Sequence, residues 1–173
     1  MNTMKEILLI SEKTLKENGV INNNVDGMYI FPAIRYAQDA GLQPIIGTKL
    51  YNKLMDLVAD GSIQQETNYK VLLDEYVTPY LLNKVTADIQ IPLNYKLRNQ
   101  GVVQNQTENT IVPTMKDLQY VIQNYEYKAI FYGNRLSDYL MANKSKFPEY
   151  SKVDSSADMH SNPNSYKTNI YLG

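Results

Sequence analysis

Cysteine and tryptophan are both absent from the 173 residues. Without a thiol there is no disulfide framework, no cysteine nucleophile and no thiolate metal site, and a reducing compartment is compatible with the composition. A single histidine, His160, leaves carboxylates as the only ready metal ligands. A Ser-His-Asp site would have to recruit that residue from a C-terminal stretch that reads as disordered. Glycines do not cluster: Gly101 and Gly133 stand alone, and no glycine run precedes a Lys-Ser or Lys-Thr pair, so no phosphate loop is present. The formal net charge of −1 provides no global basic field for nucleic acid. Long apolar runs are also missing. The opening MNTMKEILLI has an apolar stretch too short for a secretory or membrane segment. The expectation is a soluble protein made in a cytoplasm, without membrane contact.

The acidic residues offer little more. Asp74-Glu75 and Asp154/Asp158 lack the calcium-loop pattern, and adjacent residues on a helix point to different sides, so they read as a solvated face. A paired-carboxylate hydrolase would need distant acids such as Glu66, Asp88 and Glu126 to meet. Lys144, Lys146 and Lys152 are the densest basic group and also read as a solvated face. The expectation is therefore no enzyme, no cofactor and no metal.

What the sequence has in abundance is tyrosine, fifteen against three phenylalanines. Tyrosine buries a ring while keeping a hydroxyl wet, which suits half-buried surfaces and subunit contacts. An AT-rich genome favours the same residue.

The clearest pattern runs from about Pro113 to Asn143. Leu118, Val121, Ile122, Tyr125, Ala129, Tyr132, Leu136, Tyr139 and Leu140 recur at steps of three and four, the signature of an amphipathic helix. Pro113 and Thr114 suit its first turn, and Asp117 lies at the positive end of its dipole. At 1.5 Å per residue, about 30 residues span roughly 45 Å. A second apolar side, with Tyr120, Tyr127 and Phe131 and with Asn124 and Arg135 between them, asks for a second neighbour. That neighbour is either the rest of one small domain wrapping the helix or another subunit.

Earlier in the chain, MKEILLI reads equally as strand or helix, and Asn18-Gly19 marks a turn. A helix is expected from Asp26, its N-cap, through Tyr29, Ile30, Ile34 and Ala37 to Ala40, closed by Gly41. Residues 42–47 read as a tight apolar corner. Thr48 is expected to cap a second helix with Leu50, Tyr51, Leu54, Met55, Leu57 and Val58, making an αα-hairpin. A third helix follows Gln65 or Thr67, ends before Pro92 and is kinked by Pro79. In residues 95–112, Gly101-Val102-Val103 and Thr110-Ile111-Val112 are β-like runs around a polar QNQTEN turn, a small hairpin or extended excursion. From Ser151 the pattern dissolves, and the alternating end NIYLG has the form of a peptide that adds to a partner's sheet edge, or of an ordinary frayed terminus. The fold expected is all-α: about four helices, one of them long and C-terminal, over residues 1–150, with an extended arm over residues 151–173.

Several segments together resemble the head–tail connector (adaptor) proteins of tailed bacteriophages, in the branch of Bacteroides and crAss-like phages. They are Val25-Asp26 through Ile34, Ala37, Gln38 and Asp39; Leu42, Pro44-Ile45-Ile46-Gly47 and Leu50-Tyr51-x-x-Leu54; Tyr76-x-x-x-Tyr80-Leu81; Gly101-Val102-Val103; Tyr125-x-x-x-Ala129-x-Phe131-Tyr132-x-x-Arg135-Leu136-x-x-Tyr139-Leu140; and Phe147-Pro148-Glu149-Tyr150. The resemblance covers roughly residues 10–150 and rests on the order and spacing of packing residues. It implies a virion protein of the phage neck with no active site, assembled as a homo-oligomeric ring, usually of twelve copies. Such a ring sits under the portal protein, meets other neck or tail ring proteins, and lets genomic DNA pass through its lumen without reading sequence. On that reading Tyr120, Tyr127, Phe131 and Arg135 are the candidate ring contacts, and Ile170, Tyr171 and Leu172 the candidate portal-docking arm. The alternatives are a different neck or tail-completion ring protein that contacts tail components, and a small helical regulator or enzyme carried by a phage.

Overall fold

The structure, a computed structural model, describes residues 7–98, 101–104, 113–151 and 159–161. It is all-α, as expected, with one two-stranded hairpin. In chain order it comprises α1 (Glu12–Asn18), α2 (Gly27–Tyr36), α3 (Gln43–Ile46), α4 (Thr48–Ala59), α5 (Thr67–Leu72), α6 (Thr78–Asp88), α7 (Gln90–Asn94), β1 (Tyr95–Arg98), β2 (Gly101–Gln104), α8 (Met115–Ala142) and α9 (Pro148–Ser151). A π-helical turn, Ala37–Leu42, joins α2 to α3, and another, Leu73–Val77, joins α5 to α6. These joins merge the pieces into two continuous rods. Together with α4 and α8 they are the four long elements of the bundle, and α1 is added at the N-terminal side.

Two boundaries differ from the sequence reading, for one reason. Gly41 does not close the first rod. It lies buried inside it, because the ring of Tyr80 from α6 comes so near that a Cβ at Gly41 would stand 2.6 Å from the Tyr80 hydroxyl oxygen. Here glycine serves close approach and not chain reversal. The reversal falls at Gly47, whose φ of +79° and ψ of 153° place it in a region open essentially to glycine alone. Accordingly the N-cap of α4 is Gly47 and not Thr48, and no side chain caps that helix. Asp26 does cap α2, accepting from the Met28 N–H at 2.9 Å.

Residues 7–10 are neither helix nor strand. Leu9 and Ile10 are buried, and their backbone is held by Gln38, a fully buried amide on the first π turn. Gln38 Oε1 accepts from the Leu9 N–H at 2.6 Å, and its Nε2 donates to the Ile7 carbonyl at 3.4 Å. The amide replaces the pairing that a neighbouring strand would give.

Pro79 sits just after the second π turn. It has no N–H, so the Glu75 carbonyl four residues earlier loses its α-helical donor. Arg135 of α8 donates to that carbonyl from Nη1 at 3.1 Å and stacks its guanidinium over the Tyr76 ring at 4.6 Å. The hairpin is also paired differently from expectation. Tyr95–Arg98 lies antiparallel to Gly101–Gln104, with Arg98 opposite Gly101. Residues 110–112, the expected partner, lie outside the described residues.

The core collects at the crossing of α6 with α8 and the first rod. Tyr80 is fully buried there, with Gly41 at its hydroxyl and Gly133 at its ring edge. At the far end Phe147 is fully buried, edge-on to Tyr69 at 5.5 Å, and Tyr139 stacks on Tyr76 at 3.9 Å. Tyr69 donates to Glu149 Oε2 at 2.8 Å, tying α5 to α9.

Candidate assembly interface

The feature that stands apart from this core is the outer side of α8. The helix starts on a capping box. Thr114 Oγ1 accepts from the Asp117 N–H, and Asp117 Oδ2 accepts from the Thr114 N–H at 3.1 Å. The Thr114 hydroxyl, donating to Asp117 Oδ2 at 2.6 Å, and then the Thr114 N–H hold the Asp117 carboxyl below the usual carboxylate range. The helix ends at Asn143, whose Nδ2 donates to the Tyr139 carbonyl at 2.9 Å.

Leu118, Ala129, Gly133, Leu136, Ser137 and Leu140 form its buried side. The expected stripe is therefore buried in the C-terminal half. In the N-terminal half it opens: Val121 is exposed, and Ile122 and Tyr125 are half-buried. Directly opposite the buried side stand Tyr120, Tyr127 and Phe131, 72, 58 and 63% exposed. At 100° per residue the three fall within about 40° of one another around the helix axis. They form a ridge of aromatic rings whose one ring contact among the described residues is an edge contact of Phe131 with Tyr132 at 5.3 Å. Arg135, grouped with them by sequence, is exposed and also donates to the Glu75 carbonyl and stacks on the Tyr76 ring of its own chain.

One charged cluster fastens the N-terminal half of α8 to α6. Lys84 Nζ donates to Glu126 Oε1 at 2.7 Å and to Asp88 Oδ1 at 3.0 Å. Burial opposes the charge on Lys84, but the two carboxylates outweigh it and its pKa lies above the ordinary lysine value. Asp88 is raised because burial outweighs the lysine. Two of the three acids that might have met do so, with a lysine between them. Glu66 precedes α5, at the opposite end of the rod and roughly 33 Å of helix away. An acid pair neutralised by a shared lysine is a structural fastening. Among the described residues no group of three or more His, Cys, Asp or Glu could hold a metal ion, and no helix is long and apolar enough to cross a membrane.

A groove of about 250 Å³ runs between α2 and the α6–α7 junction, walled by Met28, Pro32, Tyr36, Asp88 and Pro92. Met28 and Tyr36 are 64 and 59% exposed, and Ile91 beside the groove is exposed too. This second apolar surface was missed in the sequence. Met28, Pro32 and Tyr36 sit four residues apart on α2, a signal that was available but lay beside the stronger buried stripe.

The chain beyond α9 returns to the body. Met159 donates its N–H to Thr48 Oγ1 at 2.8 Å, and the Thr48 N–H donates to the Met159 carbonyl at 2.9 Å. The Ser161 hydroxyl donates to the Tyr150 carbonyl at 3.3 Å. The Ser161 nitrogen lies 2.9 Å from where a Cβ on Gly47 would stand. The segment before residue 162 is thus docked at Met159–Ser161 on the α3–α4 turn. Ile170, Tyr171 and Leu172 lie outside the described residues.

The profile of a family of unknown function, DUF6712, matches residues 42–159, about two thirds of the chain. The chain belongs to the DUF6712 family. No curated protein and no solved structure matches it. The DUF6712 segment contains all of α8, and with it the aromatic ridge and the Lys84 cluster. Its ends meet in space, since Met159 closes on Thr48 near the segment's start. The α2 wall of the groove lies outside it.

Proposed function

We propose that this DUF6712 protein is a structural component of the neck of a tailed phage, an adaptor whose copies form a ring on the portal and extend the DNA channel toward the tail. The observation that carries the reading is the aromatic ridge. A 28-residue helix turns one side to the core and presents Tyr120, Tyr127 and Phe131 on the opposite side. Rings of that size left in water cost apolar free energy that a neighbouring subunit would recover. A heterologous contact repeated around an axis closes into a ring. The resemblance of residues 10–150 to phage head–tail adaptors supplies the setting, a portal above and a tail below. A near-neutral net charge suits a channel along which DNA slides.

The C-terminal arm is assigned to portal docking through Ile170, Tyr171 and Leu172. Met159–Ser161 is docked on the body, so the arm leaves from a fixed point beside the α3–α4 turn. The test is native mass spectrometry of the full chain, alone and mixed with the portal ring of the same phage. One copy per portal subunit is expected. Removal of residues 162–173 keeps the docked segment and should abolish portal binding while leaving the fold intact. Binding to tail components with none to portal would reassign the protein to a neck or tail-completion ring. Undiminished portal binding by the shortened chain would remove the arm from the mechanism.

A further inference from the structure

The surface that receives the ridge can also be named. We infer that the α8 ridge of one copy lies in the α2/α6–α7 groove of the next, so that the groove is the second half of a head-to-tail interface; this rests on the ring reading above.

Three observations carry it. The two faces are different surfaces of one chain, one convex and aromatic, the other concave and walled by Met28, Pro32, Tyr36 and Pro92. A pairing between unlike surfaces, when its reciprocal contact does not form within the same pair of copies, propagates from copy to copy and closes as a ring where the rotation between neighbours allows. The dimensions agree. Tyr120 to Phe131 spans roughly 16 Å along α8, and Met28 to Tyr36 spans about 12 Å along α2, with the α7 side extending the groove beyond. The chemistry agrees as well. The groove wall is mostly apolar, with Met28, Pro32, Ala33 and Pro92 offering surface that suits the faces of the ridge rings.

The area sets how strong the contact is. Three aromatic side chains exposed to this extent offer on the order of 400 Å². A stable pairwise interface needs about 800 Å² from each partner. The contact is therefore weak between two free copies and holds when neighbours on both sides, or a template, add to it.

The absence of cysteine makes the pairing directly testable in the full chain. Pro32→Cys and Asn124→Cys, the latter beside the ridge and not one of its rings, are made singly and together, and each is treated with a bis-maleimide of about 10 Å reach. Both positions are exposed, so folding is preserved. The double variant is expected to give a ladder of covalent species running past the dimer, and each single variant no more than a trace of dimer. In parallel, a photo-crosslinking amino acid at Phe131 should map onto residues 28–36 or 88–92 of another copy. Native mass of the unmodified chain, alone and with the portal ring, is read alongside. Oligomers with no ladder, or a strong Asn124→Cys dimer that the double variant does not extend, would overturn the groove pairing while leaving self-association in place. A chain that stays monomeric under every condition would overturn the ring reading and the groove with it.

Discussion

Replacing Gly41 by alanine tests the central packing at a single atom. In a helix the change is ordinarily favourable, by up to about 1 kcal/mol, because alanine loses less backbone freedom. Here the added Cβ would stand 2.6 Å from the Tyr80 hydroxyl oxygen, closer than real Cβ atoms come to a neighbour. Tyr80 cannot yield. It is fully buried, and its opposite ring edge lies against the backbone of Gly133. Forcing such an overlap in a filled core costs about 1–3 kcal/mol, and more where nothing moves. The expected net loss for Gly41→Ala is about 1–2 kcal/mol, a fall in Tm of roughly 2–8 °C for a chain of this length.

Gly133→Ala is the control. Its Cβ would meet Ile45 Cδ1 and Tyr80 Cε2 at 3.4 Å, ordinary contact distance, so it should be neutral or mildly stabilising. Tyr80→Phe removes the clashing oxygen at a cost of about 1 kcal/mol in lost hydrogen bonding. Combined with Gly41→Ala it should recover about 1–2 kcal/mol relative to the sum of the single changes. Denaturant unfolding followed by circular dichroism reads all four proteins. A Gly41→Ala protein as stable as the parent, or a cycle additive to within about 0.5 kcal/mol, would refute the packing argument.

Gly47→Ala places a side chain at φ +79° against the Ser161 nitrogen, so a loss of about 1–3 kcal/mol is expected, with faster hydrogen exchange at the Thr48 and Met159 amides as the docked tail releases. Stability should fall as pH rises above about 10. Burial, and the bonds to Asp39 and Glu149, raise Tyr51 and Tyr69 above their ordinary value of 10.0, so the unfolded chain gives up those protons first. Lys84 acts in the same sense. Its raised value contributes stability that is complete below the ordinary lysine pKa and is lost as pH climbs through the folded one. Tyrosinate absorbance should show Tyr51 and Tyr69 titrating only together with loss of ellipticity; full tyrosine titration before unfolding would count against it. Lys84→Met leaves Asp88 and Glu126 uncompensated and should cost about 1–3 kcal/mol at neutral pH, less in acid as Asp88, raised by burial, takes up a proton, by the same unfolding assay. Arg135→Ala should cost about 1–2 kcal/mol through the Glu75 carbonyl and Tyr76, and it should act on stability first, unlike serine at Tyr120 or Tyr127, which should leave stability unchanged and lower assembly.

Local chemistry made α8 legible in advance. Its apolar period, the capping pair Thr114 and Asp117, and the opposite placement of Tyr120, Tyr127 and Phe131 follow from 3.6 residues per turn and from side chains within one turn of each other. Asp26 as an N-cap is local in the same way. The all-α class follows from those periods added along the chain.

Tertiary structure decided what a residue's distant neighbour decides. Whether Gly41 ended a helix or admitted a ring depended on Tyr80, thirty-nine positions away. That Arg135 reaches the Glu75 carbonyl depended on Pro79, which leaves that carbonyl without its α-helical donor. Gln38 became a strand's substitute only because residues 7–10 pass beside it, and Met159 and Ser161 became part of the body only because Gly47 leaves room. A glycine, an amide or a guanidinium carries one pattern in sequence and several uses in space. The choice among them lies with whichever buried polar group or ring the fold brings within a few ångströms.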